Sequence, residues 1–138
     1  MEIQYGVIGG LAVIAMVVSA IWYGPLFGSA WLRVIGADTD VEEKRKEMQK
    51  KALPLYGIQF LLVLFQIYVL AHYIKGWNTV SGIENALWIW GAFIMPTIAA
   101  ASMWTNDSAK VKWVRFLIQA GCQAVLFVVF GYVLSVWG

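Results

Sequence analysis

Four stretches of this chain are long, apolar and free of charge in their middle, and nothing else in it limits the fold so strongly. They run over residues 4–27, 54–74, 83–104 and 113–137. A helix that crosses a hydrocarbon layer of roughly 30 Å needs about 20 such residues. Only Glu84 and Arg115 fall inside a stretch, each beside its end. A β-barrel would show alternating segments of about ten residues, and these runs are continuous. Helices also satisfy their own backbone hydrogen bonds, which lipid cannot do. Composition agrees: 61% of the 138 residues are hydrophobic and 13% charged, too few charges to cover a water-exposed surface. That excludes a soluble enzyme, a disordered tail, a collagen-like chain and a nucleic-acid-binding domain. The expected fold class is an all-α integral membrane protein, a four-transmembrane-helix bundle forming a single domain over residues 1–138.

Orientation follows from the basic residues. Arg33, Lys44, Arg45, Lys46, Lys50 and Lys51 follow the first span; Lys110, Lys112 and Arg115 precede or open the fourth. The other side has Lys75 alone. Loops 28–53 and 105–112 are therefore expected in the cytoplasm and both termini outside, in a multi-pass plasma (inner) membrane protein. Met1–Gln4 carries no Lys or Arg, so the first stretch reads as a retained span, not a cleaved signal. Trp22, Trp31, Trp104 and Trp113 fall at the expected inner interface, Trp77 and Trp137 at the outer one, a depth that suits amphipathic rings. Trp88 and Trp90 read as lipid-facing bulk.

The segment between the first two spans has structure of its own. Gly24-Pro25 should kink or end the first helix, because proline lacks a backbone donor and clashes with the preceding turn. Phe27, Ala30, Trp31 and Val34 then recur at helical spacing. This predicts a short interfacial helix over 26–35, stopped at Gly36; an extra turn of the first span is the alternative. A second, charged cytoplasmic helix should start near Thr39, which forms a capping box with Glu42. Lys44, Arg45, Lys46, Lys50 and Lys51 could draw anionic lipid head groups. A simply solvated helix is the competing reading, since Glu42, Glu43 and Glu47 offset much of that charge.

Polar groups inside a membrane are costly and so are functional candidates. Gln59 and Gln66 share one face of the second span; Arg115, Gln119 and Gln123 share one face of the fourth. Ser19 and Thr97 come from the other two. Together they predict a polar layer in the cytoplasmic half. It serves either as interhelical hydrogen bonding, the favoured reading, or as a water-accessible cavity or ion path. His72 and Glu84 flank the short outer turn and form a candidate polar pair there, or are simply wet interfacial residues. Gly6 and Gly10 make a GxxxG pattern, and Gly131 with Ser135 repeats the small-residue spacing. Such positions let helix backbones approach, within one bundle or between two copies.

Catalytic and metal chemistry look poor. Cys122 is the one cysteine and His72 the one histidine, at opposite depths, and zinc needs three or four ligands. No phosphate loop, HExxH or GxSxG motif occurs. The expectation is a protein that is not an enzyme and carries no cofactor.

The run Trp22-Tyr23-Gly24-Pro25-Leu26-Phe27-Gly28-Ser29-Ala30-Trp31, with Gly36 after it, resembles the start of the domain of unknown function (DUF) 1761 family of small four-span membrane proteins. Ala120-Gly121-Cys122-Gln123 with Gly131 and Trp137 resembles that family's last helix. Gly24 stands where members often carry Ser. Gln123 stands where they often carry His, which weakens a proton or metal role. The resemblance implies architecture and brings no activity with it.

Two functions remain in view. The preferred one is a small membrane protein acting through helix association as a homo-oligomer, with the lipid bilayer and a second copy of itself as partners. The alternative is a small channel or transporter for an ion or polar solute. Proton-coupled multidrug exporters of similar size use a carboxylate in the middle of the first helix, and this chain has none.

Overall fold

The computed structural model describes residues 4–34, 42–77 and 79–137. Helix α1, Tyr5–Ile21, buries Ile8, Leu11, Ala12 and Ala15 along one face. It does not stop at its proline. It widens into a π-helical turn over Trp22–Leu26 that contains Pro25. Here the Phe27 amide donates to the Trp22 carbonyl, five residues back, at 3.0 Å. Pro25 has no N–H to offer and its ring crowds the turn before it, and a wider turn absorbs both problems. Helix α2, Gly28–Val34, follows, at the place where the short helix was expected. Gly36 and Thr39, expected as stop and cap, lie outside the described residues.

Helix α3 runs unbroken over Glu42–Gly76. The charged helix is therefore present, but it is the first part of the second span's own rod and not a separate element. At 1.5 Å per residue the rod is about 52 Å long, far more than a bilayer core requires. Pro54 lies inside it. Glu47 and Lys51 pair at 3.3 Å just before the proline, an i,i+4 contact that supports the helix locally.

The third span is two helices. Ser81 caps α4, Gly82–Ile89, by accepting the Glu84 amide at 3.1 Å. A second π-helical turn covers Trp90–Ile94, and α5 continues over Met95–Met103 with Pro96 in its first turn. Helix α6 closes the chain over Ala109–Trp137.

Four helical runs are long and apolar enough to cross a membrane: Tyr5–Leu26, Leu53–Gly76, Gly82–Met103 and Ala109–Trp137. This is the architecture of a multi-pass membrane protein. The runs follow the expected spans closely; the largest shift is the fourth's start, at 109 instead of 113.

Helix α6 is the hub and touches α1, α2, α3, α4 and α5. Of its apolar window 44% is buried, against 11% for the third span. Its Cys122, Leu126, Phe127, Phe130 and Leu134 meet the buried face of α1 and the Val63, Ile67, Leu70, Ala71 and Ile74 face of α3. Lipid is as apolar as leucine, so close packing and hydrogen bonds must hold such a bundle together.

Candidate functional site

Helix α6 also collects the bundle's longest-range polar contacts. Trp22 and Trp90 each open a π-helical turn, and both indoles reach α6. Trp22 Nε1 donates to the Ile118 carbonyl at 2.9 Å, and Trp90 Nε1 to the Ala120 carbonyl at 3.0 Å. A backbone carbonyl has two lone pairs, so it can serve its own helix and an indole together. Gly121 lets the first ring approach: a Cβ there would sit 3.1 Å from Trp22 Cζ2. The sequence placed Trp22 at the interface and Trp90 in lipid. Trp90 instead turns inward, while Trp88 is 63% exposed. The missed signal is a tryptophan placed a few residues before a proline, three at Trp22 and six at Trp90.

The expected polar layer is distributed differently from a single connected network. Ser19 Oγ and Cys122 Sγ lie 4.0 Å apart, joining α1 to α6. Thr97 donates to the Phe93 carbonyl of its own helix, so its hydroxyl serves the backbone near Pro96. Arg115 reaches back to Asp107 in the preceding turn, with Nη1 and Oδ2 2.9 Å apart. Gln59 is exposed and Gln119 half-buried. Gln66 stands in the wall of an apolar groove of about 270 Å³ between the second and third spans, beside Val69, Phe93 and Phe127. Gln123 Oε1 is buried with no hydrogen-bond partner.

At the end far from the basic loop, His72 and Glu84 are both exposed. The His72 ring meets Tyr68 edge-on at 4.6 Å, and no ion pair joins it to Glu84 among the described residues. The buried polar residue here is Asn85, which the sequence reading passed over. It is fully buried, and its Nδ2 donates to the Trp77 carbonyl at 2.9 Å, tying down the turn between the second and third spans. A polar residue one turn into an apolar run was the available signal. Among the described residues no three His, Cys, Asp or Glu side chains converge as a metal site would require.

The small residues separate into two groups. Gly131 faces Gly82, and a Cβ on Gly131 would lie 2.9 Å from Ile83 Cα. A Cβ on Gly82 would press on the Gly131 carbonyl and on Ser135. No side chain fits between these helices. Gly6 and Gly10, by contrast, have nothing within 4 Å of where a Cβ would be. Pro25, Gly24 and Trp31 form the junction after α1, where Tyr23 meets the Trp31 ring edge-on at 4.9 Å.

The family described as "Protein of unknown function (DUF1761)" matches residues 7–135. The chain belongs to this family. The match takes in both π-helical turns, both indole contacts on α6 and the Gly82–Gly131 contact. No curated protein and no solved structure matches the chain significantly.

Proposed function

We propose that this DUF1761 protein is a non-catalytic membrane component that works as a homo-oligomer assembled through α1. The observation that carries the reading is the open space at Gly6 and Gly10. The same helix face continues through Val13 and Val17, each more than half exposed. Glycines at this spacing let two helix backbones come close, and gains in packing are what drive association in lipid. Gly82 and Gly131 already face each other inside the protomer, whereas Gly6 and Gly10 form a pair at GxxxG spacing with room for a second copy. In the proposed orientation both termini are external and the basic loops cytoplasmic.

The test uses the full chain with Val13→Cys and Cys122→Ser in native membranes. Oxidative crosslinking should give a dimer, and adding Gly10→Leu should cut its yield about tenfold, the effect of roughly 1.4 kcal/mol. Equal yields with and without Gly10→Leu would overturn the reading. A membrane-impermeant label should reach a tag at either terminus from outside.

The transport alternative draws on one observation, the unpartnered buried oxygen of Gln123. It requires that Gln123→Cys, made together with Cys122→Ser, react with a water-soluble thiol reagent in the folded protein. A cysteine there that stays unlabelled sinks it.

A further inference from the structure

The third and fourth spans separate towards the end that carries the basic loops, leaving a cavity of about 170 Å³ between α5 and α6. Ala99, Met103, Trp113 and Phe116 form its apolar walls. Three features in it favour an anion. Lys112 lines it, and among the described residues no carboxylate pairs with this lysine. Ala109, the first residue of the 29-residue α6, also lines it. Ser108 accepts the Val111 amide through its hydroxyl and the Lys112 amide through its carbonyl. The amides of Ala109 and Lys110 precede those bonds and have no acceptor within the helix. The positive end of the helix dipole therefore sits at the cavity.

The third feature is Ser102. It is 3% exposed, stands in the cavity wall, and its hydroxyl has no hydrogen-bond partner. A buried hydroxyl without a partner is costly, and a phosphate oxygen is an acceptor it could use. Asp107, the nearest acid in the chain, is engaged by Arg115 at 2.9 Å. The rest of the surface matches a lipid. Trp113 and Leu117, one turn apart, are both 63% exposed and continue the apolar wall along α6.

We propose that this cavity binds the phosphate head group of an anionic phospholipid, in the leaflet that meets the basic loops. Lys112 and the first turn of α6 take the charge, Ser102 donates a hydrogen bond, and an acyl chain runs along Trp113 and Leu117. None of residues 44–51 is among the described residues that line the cavity, and the proposal does not depend on how copies of the chain associate.

The test is lipid retention by the full-length protein, released from nanodiscs of equimolar phosphatidylglycerol and phosphatidylcholine and weighed by native mass spectrometry. The wild type should keep phosphatidylglycerol in preference by about tenfold, the scale of one or two charge-assisted contacts. Lys112→Gln should remove most of that preference, and Lys112→Arg should keep it. Lys110→Gln loses the same charge two residues away, outside the cavity lining, and should change little. Ser102→Ala removes a hydroxyl that packs without a partner, so it tests the site without disturbing the fold; its bond goes to the phosphate that both lipids carry, so it should lower the amount of phosphatidylglycerol retained roughly threefold and leave the preference largely in place. Three results would overturn the proposal. One is equal loss in Lys110→Gln and Lys112→Gln, which means diffuse attraction to the surface. Another is equal retention of the two lipids by the wild type. The last is displacement of the lipid by millimolar glycerol phosphate, which means a site for free phosphate.

Discussion

The third and fourth spans meet twice, in opposite ways. At the far end Gly82 and Gly131 bring two backbones together with no room for a methyl group. At the basic-loop end, about 28 Å away along α6, the same pair parts around a cavity with an unpartnered serine in its wall. Between them lie the π-helical turn at Trp90–Ile94 and Pro96. Close packing and open space coexist on one helix pair, with the widened turn of the third span between them.

That contrast can be broken most directly at the tight end. Gly131→Ala should lower unfolding stability by about 2–3 kcal/mol, because the obstacle is backbone and cannot rotate away. Reversible unfolding in mixed micelles measures it. Next comes the turn. Trp90→Phe keeps an aromatic ring but loses the five-membered ring and its bond to the Ala120 carbonyl, and should cost about 1–2 kcal/mol by the same measurement. Trp22→Phe should behave alike, since its indole makes the matching bond to Ile118. At the open end Ser102→Ala should leave stability unchanged or raise it by less than about 1 kcal/mol, because no hydrogen bond within the bundle is lost. A double variant of Gly131→Ala and Ser102→Ala should be additive within about 0.5 kcal/mol, as the two sites share no neighbour. A larger coupling would mean that the two ends move as one.

The spans were legible in the sequence because hydropathy and bilayer thickness are both one-dimensional. Their ends moved little between expectation and structure. The short helix after Pro25 was legible from the spacing of Phe27, Trp31 and Val34. What lay beyond reach was the choice of face. In water an apolar stripe marks the buried side of a helix, but in lipid both sides are apolar. Trp90 and Trp88 are two residues apart and chemically identical, yet one bonds to α6 and the other faces out. Asn85 was hidden by its neighbour Glu84, whose charge draws attention while its side chain is exposed. The charged helix and the second span were expected as two elements, and they are one, for another reason. A change from charged to apolar composition marks a change of solvent, and a helix can pass through it unbroken. Nor does shared spacing guarantee contact. Gln119 and Gln123 lie one turn apart on α6, but no hydrogen bond joins any two of the intramembrane glutamines among the described residues.

The unbroken α3 makes the exposed and membrane-spanning parts of this chain mechanically one object. Its first eleven or so residues extend about 16 Å beyond the apolar run, a lever whose handle is charged and whose load is the second span. Residues 43–51 and the segment carrying Gln66 are thus joined by one continuous helix with no loop between them to absorb a displacement.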